Sequence, residues 1–118
     1  MNPDPTRTPK SGQNLFLNFD FMDITEVRIQ LLKKPAGKLF AFASVTFDSM
    51  LVIRDFQIFS SAKGYFVGMP SRKLPDGTWK ETVFPIDTSL AESITGTVLR
   101  AFEDEINKPE NLHLQPHV

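Results

Sequence analysis

The hydrophobic period of this chain changes once, and the change divides it. Between Ile24 and Pro85 apolar residues fall in short runs at strand spacing. From Asp87 onward they recur at helical spacing, as Leu90, Ile94, Val98 and Phe102, with Ala91 and Ala101 beside them. A period of two marks a half-buried strand, and a period near 3.6 marks a helix with one apolar stripe. Strands first and a helix second describe an α+β chain. Because the runs are separated by short turns, antiparallel pairing is expected: a β-meander sheet of about four to five strands followed by one C-terminal helix.

The strand candidates are "ITEVRIQLL" at 24–32, "LFAFASVTFD" at 39–48, "MLVIRDFQIF" at 50–59, "YFVGMP" at 65–70 and "TWKETVFP" at 78–85. The turns between them are "KKPAGK" at 33–38, a short connection around Asp48-Ser49, "SAKG" at 61–64 and "SRKLPDG" at 71–77. Residues 39–48 are apolar on both faces, with Phe40 and Phe42 on one and Ala41, Ala43, Val45 and Phe47 on the other. That pattern predicts a central strand covered by a helix or a partner. Ser89 and Glu92 are spaced as a capping box at the helix start. Gly96 weakens the helix by about 1 kcal/mol relative to alanine, and its small size would let the helix pack closely on the sheet. Pro109 ends the helix. The expected organisation is an N-terminal extension over 1–22, a folded domain over 23–106 and a flexible tail over 107–118. Residues 1–14 are rich in proline and polar residues and read as disordered. Leu15, Leu17, Phe19 and Phe21 alternate, which suits an added edge strand, a docking arm or a locally collapsed tail.

A chain of 118 residues is one domain, and 41% hydrophobic with 23% charged residues suits a globular one. It has no cysteine, so disulfides, thiolate ligands and cysteine nucleophiles are excluded. The two histidines, His113 and His117, are spaced i, i+4, but Pro116 interrupts them and no helical pattern surrounds them. No metal site is expected there. No phosphate-cradling or dinucleotide-binding glycine motif is present, and no nucleophile–base pair is visible. The expectation is a non-enzyme with no catalytic residues and no cofactor. No apolar run approaches the roughly 20 residues of a membrane helix, and the first residues lack a secretory signal pattern. A cytoplasmic protein without a membrane partner is expected.

The net charge of −1 conceals an asymmetry. Residues 24–86 carry +4 and residues 87–118 carry −4. Glu103, Asp104 and Glu105 read as a solvated helix face. The cations cluster in turns: Lys33, Lys34 and Lys38 in one, Lys63 in another, and Arg72 with Lys73 in "MPSRKLPDG" at 69–77. Pro70 and Pro75 fix φ on both sides of the last pair, and a preorganised loop loses less entropy on binding. In a meander the 33–38 and 61–64 turns share one end of the sheet and the 71–77 loop lies at the other, so two patches are expected. Such cations suit phosphate backbones; ordinary loop solubility also accounts for them.

The blocks "ITEVRI", "AFASVTFDSMLVIRDFQIF", "GYFVGMPSRKLPDGTWKE" and "FPID" followed by a helix resemble the SpoVG family, the bacterial septation and stage V sporulation G proteins. The resemblance covers roughly residues 23–105, and its most specific part is Gly-x-Phe-Val-x-Met-Pro-Ser, two basic residues, then x-Pro-Asp-Gly. It implies a small antiparallel sheet with a C-terminal helix, a homodimer, site-preferring binding of DNA and RNA, and regulation of gene expression and cell septation. In that family the paired basic residues after Met-Pro-Ser take part in nucleic-acid binding, and here they match Arg72 and Lys73. Arg54 stands where the family commonly has histidine and adds a permanent charge. Phe84 replaces another histidine, and the helix start lacks the cations that relatives often place there. The candidate nucleic-acid-binding residues are Arg72, Lys73, Arg54 and Lys38. The alternative is a protein-interaction module whose partner binds the phenylalanine-rich sheet or the acidic helix. Dimerisation is expected through the apolar face assigned to Phe40 and Phe42.

Overall fold

A computed structural model describes residues 22–114. The proposed strand or arm over 15–22 therefore lies almost wholly outside the described residues, as does His117. Four strands, β1 (Ile24–Ala36), β2 (Leu39–Phe47), β3 (Leu51–Ser61) and β4 (Gly64–Gly68), form one antiparallel sheet in chain order. Two short strands, β5 (Ser71–Lys73) and β6 (Trp79–Glu81), pair as a separate ribbon. The helix α1 spans Thr88–Ile106. The α+β meander with its C-terminal helix is thus present. The "TWKETVFP" run contributes a three-residue strand to the ribbon and does not join the main sheet.

β2 lies inside the sheet, and Ala41, Ala43, Val45 and Phe47 on its helix-facing side are buried. They pack with Phe56 and Ile58 from β3 and with Ile94, Val98, Phe102 and Ile106 from α1. Burial of each large side chain is worth about 1.5–3 kcal/mol, which sets the helix on this face. The helical stripe read from the sequence is this buried row extended by Ile106; Leu90 packs at its edge, half-buried.

Phe40 departs from simple alternation. Leu39 pairs with Phe59 and Ala41 with Ile58, so Phe40 is an extra residue in a bulge. It is turned into the core, where its ring meets Tyr65 edge-on at 5.6 Å. Only Phe42 of the expected phenylalanine pair remains on the outer face. A second irregularity lengthens β1. Its pairing with β2 skips between Leu31 and Ala36, and Pro35 is accommodated there because its missing N–H is not needed at a bulge. The turn therefore narrows to Gly37-Lys38, with Gly37 at φ 61°.

The helix is capped by Asp87, and Ser89 is already inside it. Asp87 is extended (φ −102°, ψ 127°), and its Oδ2 accepts the Leu90 N–H at 2.8 Å. Asp87→Ala is expected to lower stability by about 1 kcal/mol, while Ser89→Ala should be nearly neutral; thermal melts of the two variants decide which residue caps. Gly96 is exposed, and a Cβ there would meet nothing within 4 Å, so it gives no close packing on the sheet. Beyond the helix the chain does not run loose at once. Pro109–Leu114 form a 3-10 helix with Leu114 buried against the core. Asn111 Nδ2 donates to the Glu105 carbonyl at 2.9 Å, and Lys108 pairs with Glu105 at 2.9 Å. Glu105 thus has local partners, while Glu103 and Asp104 are exposed.

Candidate nucleic-acid interface

The "SRKLPDG" stretch is half of a hairpin. Leu74 N–H donates to the Thr78 carbonyl at 2.7 Å, and Gly77 N–H donates to the Leu74 carbonyl at 2.9 Å. Pro75 pre-sets φ at the first turn position, and Gly77 takes φ 91°, a left-handed conformation that glycine adopts without steric cost. This is the three-residue hairpin loop with a glycine bulge. Asp76 closes it: its Oδ1 accepts the Thr78 hydroxyl at 2.7 Å and the Thr78 N–H at 3.0 Å.

The Thr78 hydroxyl first, and its N–H second, hold the Asp76 carboxyl below its ordinary value of 3.8. A depressed folded value means that this contribution is complete above the ordinary carboxylate range and is lost as pH falls through the lower folded value. On acidification the Thr78 amide resonance should therefore move with a midpoint below 3.8. A midpoint at or above that value would show that the hairpin clasp does not form in solution. Asp76→Asn should abolish the transition.

The hairpin sets the charges. Ser71 pairs with Glu81, Arg72 with Lys80 and Lys73 with Trp79. Residues directly opposite share a face with Cβ atoms about 5 Å apart, and neighbours along a strand point to opposite faces. Arg72 and Lys80 therefore form a cation pair on one face of the ribbon. Lys73 lies on the other face beside Trp79, which is 67% exposed. The two adjacent cations of the sequence do not converge on a single point; they straddle the ribbon. The candidate residues read from the sequence do not include Lys80, which the structure places opposite Arg72. Counting outward from the Pro-Asp-Gly turn in a three-residue hairpin would have placed it opposite Arg72. Among the described residues none of these three cations forms an ion pair.

Arg54 occupies a different element. Ala43 pairs with Phe56 and Val45 with Ile53, so Arg54 and Asp55 together oppose Ser44 in a bulge. Asp55 has φ 72°, a conformation uncommon for residues other than glycine. A bulge re-aims the side chains beside it, and here Arg54 lines a cavity of about 380 Å³ with Arg28, Ile29, Gln30, Phe42, Ala43, Ser44 and Asp55. Arg28 at the same cavity pairs with Glu26 at 2.9 Å. Lys38 is placed elsewhere. It sits in the β1–β2 turn, where its carbonyl accepts Ser60 N–H at 2.8 Å, at the end of the sheet where β4 begins. β4 runs from there to Gly68, roughly 13 Å away at strand rise, before the ribbon starts. Arg72 and Lys73 thus share the ribbon, while Arg54 lies on β3 and Lys38 at the far turn.

The molecule is a small α+β domain in which a helix-backed meander hands its last strand to a cation-bearing β-ribbon. The chain belongs to the SpoVG family, whose model matches residues 22–104. It is 42% identical over 94 residues to the "Putative septation protein SpoVG" of Clostridium perfringens strain SM101, covering 80% of this chain and 99% of that protein. It is 40% identical over 89 residues to the protein of the same name from Clostridium acetobutylicum, covering 75% and 93%. The Clostridium kluyveri protein matches at 39% over 87 residues, covering 74% and 90%.

Proposed function

We propose that this SpoVG-family septation protein is a nucleic-acid-binding regulator that uses the β5–β6 ribbon as its contact. The observation that carries this is the Arg72–Lys80 pair. Like charges directly opposite on a ribbon repel, and neither forms an ion pair among the described residues. An external polyanion does. A two-stranded ribbon also has the dimensions to enter a DNA major groove, with Trp79 exposed to stack on an unpaired base. Fluorescence anisotropy of labelled DNA and RNA across a salt series tests the reading. Affinity should fall linearly in log–log form as salt rises. Absence of binding to either polymer at low salt would remove the reading.

A second reading rests on the edge of β3. β4 pairs only with Gln57–Ser61, and Leu51 and Val52 on the remaining half are about half exposed, next to Met50 at 85%. A protein partner, including a second copy, could add a strand there. A partner whose capture survives loss of the ribbon cations would favour it.

A further inference from the structure

We infer that the outer face of the main sheet, the face turned away from α1, stacks the unpaired bases of a single-stranded nucleic acid. This rests on the nucleic-acid reading above and specifies the form of the polymer. Phe59 and Phe66 are cross-strand partners on that face, with ring centroids 5.2 Å apart and planes 24° from parallel. Gly68 makes room for them: a Cβ there would lie 3.1 Å from Phe59 Cε2. Glycine thus lets the Phe59 ring lie down on the sheet, and Phe66 is left 47% exposed. Phe42 pairs with Gln57, which pairs with Gly68, on the adjoining row of the same face. Two strand spacings and two residues of rise separate Phe42 from Phe66, roughly 12 Å.

What surrounds the rings selects the occupant. Phe42 is part of the wall of the 380 Å³ cavity, whose other groups include Arg54, Arg28, Gln30, Ser44 and Asp55. Arg54 has no ion-pair partner among the described residues. An apolar protein surface laid over this face would bury that guanidinium beside Asp55 with no ion pair formed, which is unfavourable. An unpaired nucleotide meets both demands: its base covers a ring and its phosphate meets the guanidinium. The carboxylate and amide groups of the cavity suit the hydrogen-bonding edge of a base, which only an unpaired strand exposes in full. Single strands are recognised in this way, with splayed bases stacked on aromatic side chains; a duplex keeps its base faces covered. The chain also runs directly from this sheet into the ribbon, β4 ending at Gly68 and β5 beginning at Ser71.

The test compares a short labelled single strand with its duplex, using the full chain, Phe66→Leu and Phe66→Tyr. Leucine keeps the apolar bulk, so the fold should persist, but it removes the ring. Phe66→Leu is expected to weaken single-strand binding about tenfold and to leave duplex binding unchanged, and Phe66→Tyr should restore it. Arg72→Ala/Lys80→Ala is run beside them. If only the cation variant weakens binding, the ribbon reading stands and the stacking face is wrong. If neither variant changes single-strand affinity, both readings fail. If Phe66→Leu dissociates a dimer in sedimentation while single-strand affinity per protomer is unchanged, a second copy covers this face and the inference is overturned.

Discussion

Arg72→Ala/Lys80→Ala should lower nucleic-acid affinity on the order of 30-fold at 0.1 M salt and flatten the salt dependence by about 1.4 to 1.8 log units per decade. Two phosphate contacts are lost, each releasing about 0.7 counterions from a single strand or about 0.9 from a duplex. The same variant should melt no lower than wild type, because the two charges oppose each other across the ribbon and neither has a partner among the described residues. Stability and binding then respond differently, which separates a lost contact from a damaged fold. Lys73→Ala adds the second face. If the ribbon enters a groove with both faces engaged, Lys73→Ala lowers the slope by a further unit or slightly less. If only the Arg72–Lys80 face is used, it leaves the slope alone. An unchanged slope in the double variant would remove the ribbon as the contact.

Much of this geometry was legible in the sequence, but unequally. The period change at Asp87 gave the order of elements because burial imposes that period on any chain with one core. The Pro-Asp-Gly turn gave a stiff, charged hairpin because each residue there has a specific backbone role. The bulges were not legible. Phe40 reads as an outer-face residue by strict alternation, and only the loss of register opposite Phe59 turns it inward. Arg54 and Asp55 look like ordinary strand residues until they share one partner, Ser44. Ser89 and Glu92 match a capping box by spacing, but the cap is the residue that remains extended, and that residue is Asp87. The cation pair was half seen. Arg72 and Lys73 are neighbours in sequence, but pleating sends them apart and supplies Lys80 from the other strand.

Phe102→Ala should be among the most damaging single changes in the domain. The ring is fully buried on the inner face of α1, and Tyr65 of β4 meets it edge-on at 4.6 Å. Tyr65 in turn meets Phe40 in the bulge of β2. Phe102 therefore ties the helix to two strands through one aromatic chain. Truncating a buried phenylalanine costs about 3–5 kcal/mol, against a total stability of only about 5–15 kcal/mol for a domain. At about 4–8 °C per kcal/mol for a domain of this size, the melting temperature should fall by about 12 °C or more. Phe102→Leu keeps most of the volume and should cost less than half as much. Tyr65→Phe should be close to neutral, because the hydroxyl has no hydrogen-bond partner among the described residues. A double-mutant cycle between Tyr65→Ala and Phe102→Ala should recover a coupling of about 0.5–1.5 kcal/mol, the worth of an edge-on ring pair beyond its burial. Additive losses would mean that the rings do not meet in solution. A Phe102→Ala protein that melted within a few degrees of wild type would mean that α1 does not dock on this face of the sheet at all.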